Sequence, residues 1–278
     1  MFSGRTLVIA TMHEKEKVLG PIMEQALGVI TFVPDAFNTD HFGTFSGEIP
    51  RDASPLETAR AKAEAALVQT GNDLALASEG SFGPHPAIGI VPANEEWLIL
   101  IDKKNNIEVV VREISTETNY DGRICRSIDE VLDFAKAAGF PEHGLIIRKN
   151  KNEVNAIVKG IRNTEELVKT ANTFLESDNE LFIETDMRGM MNPTRMKVIA
   201  TAGEKLIKKL KSLCPSCESP GYDVEEVIPG LPCSACGLPT RTPKAYLYRC
   251  KKCGHETTQE FPKGNTAEDP MYCDYCNP

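Results

Sequence analysis

The sequence predicts an α/β protein: a mixed central sheet flanked by helices with a β-lobe, followed by a small cysteine-rich C-terminal region. Three observations lead there. Short apolar runs such as Thr6–Ala10 and Glu180–Thr185 alternate with amphipathic helical patterns, the order that builds α/β sheets. Two further apolar runs, Trp97–Asp102 and Ile107–Ile114, are joined by the turn Lys104-Asn105-Asn106, which makes a β-hairpin lobe. Eight of the nine cysteines fall after residue 213.

A chain of 278 residues with 41% hydrophobic residues can bury one large core and one small one. The expected division is an α/β domain over residues 1–212 and a cysteine-rich domain over 213–278. The net charge of −9 argues against a protein that coats nucleic acid. Residues 205–278 carry 10 Lys and Arg against 9 Asp and Glu, so the acidity belongs to the first 204 residues. No leader-like segment precedes the first apolar run, and no run approaches the ~18 residues of a membrane span. The expectation is a soluble cytoplasmic protein with no membrane contact.

Taken in order, Thr6–Ala10 is a buried-strand pattern. The loop Thr11–Lys17 leads into a helix ending near Leu27. A helix N-terminus with a nearby lysine is a sound phosphate site, which makes Thr11, His13 and Lys15 candidate ligand-binding residues. Val29–Val33 is a second strand, and residues 34–53 read as a loop rich in Asp, Asn, Gly and Pro.

The helix after it is the best marked in the chain. Ser54 is a candidate N-cap, Pro55 suits the first helical position, and Glu57 completes a Ser-x-x-Glu capping box. Ala59, Ala63, Ala66 and Leu67 share a face, and Gly71 stops the helix. Asp73–Ser78 is an apolar strand. Glu79 follows between Ser78 and Gly80, just past the strand end where α/β sheets keep their chemistry. A lone carboxylate there is solvated in a cleft or paired with a cation, and Mg²⁺ is the expected partner.

Gly83-Pro84-His85-Pro86 is a rigid turn, and Ala87–Val91 reads as another strand. Ser127–Ala138 and Thr164–Ser177 are helices, with strands at Gly144–Arg148 and Val154–Val158 between them. The strand Glu180–Thr185 runs into Asp186 and Arg188, and a last helix starts near Thr194 and Arg195. An Asp and two Arg at a strand end and helix start form a clamp for an anion or a base, because Arg donates bidentately.

The stretch Glu57-Thr58-Ala59-Arg60-Ala61-Lys62-Ala63 resembles the Glu-Asn-Ala-x-x-Lys-Ala helix of inosine-triphosphate-type pyrophosphatases. Ala10 and Thr11 resemble the start of that family's first phosphate loop, with His13 in place of its Asn and the lysine at Lys15 or Lys17. Thr194-Arg195 resembles the end of its Ser-His-Arg motif. Ser78-Glu79-Gly80-Ser81 stands where the family has Asp-Asp-Ser-Gly, with one acid instead of two. The resemblance implies a metal-dependent hydrolase acting on a nucleoside triphosphate or a related phosphorylated nucleotide. Glu79 and Glu57 would then serve a catalytic Mg²⁺ or the attacking water. Lys62, Lys15 and Arg195 would neutralise phosphate charge, and Thr11, His13, Asp186, Arg188 and Thr194 would complete substrate binding. The alternative drops the catalysis and leaves a nucleotide-sensing or scaffold protein. It is motivated by the missing second acid and the altered phosphate loop. The whole chain also resembles an uncharacterised bacterial family, a domain of unknown function.

The tail carries four Cys-x-x-Cys pairs: Cys214/Cys217, Cys233/Cys236, Cys250/Cys253 and Cys273/Cys276. Each such turn aims two thiolates at one tetrahedral ion, and two turns complete a closed four-cysteine zinc site. The eight cysteines therefore predict a double zinc ribbon with two structural Zn²⁺. Gaps of 15, 13 and 19 residues between successive pairs favour sequential pairing, first with second and third with fourth. Cross-braced and nested pairings stay open. Such a region docks a protein or nucleic-acid partner. Cys125 stands apart and reads as structural.

Overall fold

The computed structural model describes residues 1–43 and 53–278, so part of the expected 34–53 loop lies outside the described residues. The chain forms two compact units, Met1–Ile207 and Lys208–Pro278. Among the described residues no helix is long and apolar enough to cross a membrane.

The first unit begins with β1 (Thr6–Ala10), α1 (Glu16–Leu27) and β2 (Ile30–Phe32). After the described gap come α2 (Pro55–Thr70), β3 (Leu74–Pro84), β4 (Pro92–Asp102) and β5 (Ile107–Ser115). These strands form one sheet in the order β2-β1-β3-β4-β5. β1 runs parallel to β2 and β3, and β3, β4 and β5 form an antiparallel meander. The capping box at Ser54 and Glu57 is formed, and Gly71 ends α2 in the left-handed conformation. Ala59, Ala63 and Ala66 pack against Val8, Ala10, Ala75 and Ala77. Alanine on both surfaces lets helix and sheet approach closely. Leu7, Ile9, Leu74, Leu76, Leu98 and Leu100 alternate with those residues and are buried, so both sheet faces are covered.

The rest of this unit adds β6 (Gly122–Cys125), α3 (Ile128–Ala138), β7 (Leu145–Arg148) and β8 (Ile157–Ile161). It ends with α4 (Thr164–Asp178), β9 (Leu181–Thr185) and α5 (Pro193–Lys211), the last of which runs past the boundary between the units. β6, β9, β7 and β8 form a second, antiparallel sheet. Val131, Phe134, Leu167 and Ala171 of α3 and α4 share a core with Leu145, Ile147, Leu181 and Ile183.

The mixed α/β class holds, with three local corrections. Residues 180–185 supply an inner strand of a second sheet instead of joining the first. The expected strand at 87–91 is turn and bend, because the chain there reverses between β3 and β4, closed by a hydrogen bond from His85 to the Val91 carbonyl. Glu79 lies inside β3 and not beyond it, because pairing with β4 continues through Pro84↔Pro92. β1, in contrast, pairs with β3 only as far as Ala10↔Ala77. Glu79 is therefore past the end of β1, and one edge of β3 lies open beside it.

The second unit is a three-stranded antiparallel sheet, β10 (Asp223–Pro229), β11 (Pro243–Arg249) and β12 (Glu256–Glu260), with the cysteine turns at its two ends.

Candidate functional site

Where β1 stops, a cavity of about 260 Å³ opens between the two sheets of the first unit. Its walls come from the loop after β1, the open stretch of β3, one residue of α2, and the ends of β7, β8 and β9. Thr11, His13, Lys15, Lys62, Glu79, Asp186 and Arg188 all line it. Residues far apart in sequence thus meet because the β1 end and the β9 end face the same gap.

The charged groups are tightly engaged. Lys62 donates to Glu79, and both side chains are buried. Lys15 Nζ donates to Ser78 Oγ at 2.9 Å and to the Ser78 carbonyl at 3.2 Å. Arg188 donates to both oxygens of Asp186, at 2.6 Å and 3.0 Å. Burial, together with the Arg195 charge, pushes Lys15 down to about 7. Burial and then Lys15, Arg195, Arg188 and Lys62 push His13 down to about 3. Burial is the larger cause, and the imidazole is therefore neutral at pH 7. In the lining the cations Lys15, Lys62, Lys159 and Arg188 slightly outnumber the carboxylates Glu79, Glu184 and Asp186. Such a cavity favours an anion.

Three expected site residues lie elsewhere. Glu57 is exposed, and its carboxylate accepts from Ser54 N at 2.9 Å. It caps α2 and does not reach the cavity. Thr194 Oγ1 is 2.9 Å from His143 Nε2 and does not line the cavity either. Arg195 is 1% exposed, paired with Glu96 at 2.6 Å and donating to the Met187 carbonyl. Its guanidinium lies 5.1 Å from the centre of the Phe82 ring. Arg195 therefore stands behind the wall and orients Phe82 and the β9–α5 loop. Lys17, the other candidate for the loop lysine, is exposed and pairs with Glu14.

Among the lining residues not selected from the sequence are Phe82, Tyr120, Lys159 and Glu184. Phe82 and Tyr120 stack with centroids 5.6 Å apart. Their sequence separation hides this pair, since only the β3 edge and the segment before β6 bring them together.

In the second unit the cysteines form two groups, Cys214/Cys217/Cys250/Cys253 and Cys233/Cys236/Cys273/Cys276. Pairs one and three share a site, as do pairs two and four, so the sequential pairing expected from the gaps is wrong. The antiparallel register explains why. Asp223↔Arg249 puts the turn before β10 beside the turn after β11, while Pro229↔Pro243 marks the opposite end. There a bridge pairs Cys233 with Glu268, shortly before the last cysteine turn. Sulfurs of different turns are 3.7–3.8 Å apart. A disulfide requires ~2.05 Å, whereas tetrahedral ligands at ~2.3 Å from one zinc lie ~3.8 Å from each other. The donor set and spacing fit two zinc ions. Backbone N–H groups of Cys236 and Ala235 bring the Cys233 thiol down to about 7, while the neighbouring thiols push Cys276 up to about 12. Among the described residues no other group of three or more metal-ligand side chains is present, and the cavity around Glu79 holds no preformed cage for Mg²⁺.

A family model described as Domain of unknown function (DUF6671) matches residues 62–278. No curated protein matches the chain. A solved structure, protein VC0702 from Vibrio cholerae, is 10% identical over 74% of this chain and 94% of that one, with a TM-score of 0.33, too low for the likeness to carry an argument.

Proposed function

The chain belongs to the family described as Domain of unknown function (DUF6671), and we propose that its first unit hydrolyses a nucleoside triphosphate or a related phosphorylated nucleotide. The observation that supports this reading is the meeting of Lys15, Lys62, Lys159 and Arg188 with Glu79 on one cavity. Phosphates entering there take donors from Lys15 and Arg188, and charge developing on them in the transition state is stabilised by cations already in place. The neutral His13 adds a hydrogen-bond partner, not a charge. The likeness of residues 57–63 and 10–11 to the inosine-triphosphate-type pyrophosphatases supports the same substrate class. A Mg²⁺ ion would come with the phosphates, since Mg²⁺ takes only one or two protein carboxylates.

A second reading, nucleotide binding without turnover, is favoured by the engagement of Glu79 with Lys62. Calorimetry and release of phosphate or pyrophosphate, with Mg²⁺ across a panel of nucleoside triphosphates, separate the two. Turnover supports the hydrolase, saturable binding alone supports the sensor, and neither overturns both.

The second unit, with two structural Zn²⁺, serves as a docking module. Residues 208–278 carry nine Lys and Arg against nine Asp and Glu. Each Zn(Cys)₄ centre adds two negative charges, leaving the unit at −4. That balance favours a protein partner over nucleic acid, which selects basic surfaces.

A further inference from the structure

Beyond the cationic cavity lies a second one, of about 290 Å³. Its chemistry differs. The tip between β3 and β4 contributes Pro84, Ile90, Val91 and Pro92, and the second sheet contributes Phe182. Tyr120 and Glu184 line both cavities, so the two adjoin at these residues. Each alone falls short of the ~300–1,000 Å³ of ordinary ligand sites, and together they lie within it. A side chain at Gly122 would bring its Cβ within 2.8 Å of the Phe182 ring, so glycine lets the ring remain in the wall. Glu184 is held by Arg148, which fixes the rim.

We propose that the second cavity is the subsite for a planar aromatic heterocycle, so that the ligand lies across Tyr120 with its phosphates on the Lys15 side and its ring against Phe182, Val91 and Ile90. This rests on the phosphorylated-nucleotide reading and adds the place and the residues that read the nucleoside. The two cavities match the two halves of such a ligand. Cations gather where phosphates need them, and Phe182, Val91 and Ile90 offer apolar surface on which a ring can stack. Acidic and basic groups at the rim, Glu184, Asp121 and Lys151, can meet the polar edges of the ring.

The test compares inorganic tripolyphosphate with nucleoside triphosphates on the full chain by calorimetry. The parent is expected to bind at least one nucleoside triphosphate about tenfold tighter than tripolyphosphate, the order expected of one stacked base. Val91→Trp, which fills the second cavity, should erase that difference and leave tripolyphosphate binding unchanged. Ile90→Trp, at a position 89% exposed, serves the same purpose if the first variant is poorly folded. Equal affinity of the parent for both probes, or a difference that survives both fillings, overturns the subsite and leaves the phosphate reading standing. Failure of the parent to bind either probe overturns the phosphate reading itself.

Discussion

Lys62 of α2 and Glu79 of β3 form a buried ion pair in the wall of the cavity, with side chains 8% and 3% exposed. From sequence alone Glu79 is a lone carboxylate with a metal ion as its expected partner, and neutralising it then removes an unpaired charge and leaves the fold intact. The pair reverses that expectation.

Glu79→Gln is expected to destabilise the first unit, because it leaves the Lys62 ammonium buried without its counter-charge. Breaking a buried pair from one side costs roughly 3–5 kcal/mol. Adding Lys62→Met should restore much of the loss. Denaturant unfolding of the parent and the two variants decides the matter, and a single Gln variant as stable as the parent would refute the pairing.

Gly80 faces Arg195 and Glu96. A Cβ there would lie 2.5 Å from both Arg195 Nη2 and Glu96 Oε1. The guanidinium is held by Glu96, the Met187 carbonyl and the Phe82 ring, so it cannot move aside cheaply. Gly80→Ala should therefore cost about 1–3 kcal/mol. An unchanged urea midpoint would show that this wall yields.

Lys15 gives the stability a pH dependence. Its value falls from 10.5 to about 7 on folding. Between those values the unfolded chain holds the proton and the folded chain does not. The Lys15 contribution to stability therefore rises with pH, by at most ~1.4 kcal/mol per unit. The difference in stability between the parent and Lys15→Met, followed from pH 7 to 10, should show that slope. A difference independent of pH would place Lys15 in an ordinary solvated environment.

The interleaved cysteine pairing separates two double variants. Cys214→Ser with Cys250→Ser removes ligands of one group and should leave one zinc per chain. Cys214→Ser with Cys233→Ser damages both groups and should leave none. Metal analysis with the opposite ranking would restore sequential pairing.

The α2 boundaries, the Ser54–Glu57 box and the stop at Gly71 were legible in the sequence, because caps and helical faces depend on residues within a few positions of each other. The same holds for the cysteine turns, whose two ligands are three residues apart. Whether turn 214–217 meets 233–236 or 250–253 is decided by the register of β10 on β11, which no local spacing contains. Glu57 and Glu79 look equally catalytic as residues in a motif. Packing leaves the first in solvent, where only its capping role remains, and makes the second a buried partner of Lys62. Arg195 is likewise a clamp in sequence and a support behind Phe82 in the fold. Tyr120 comes to line both cavities only because two sheets, built from distant segments, end beside each other. Electrostatics and desolvation act through space, so the arrangement of this site was decided where the chain closed on itself.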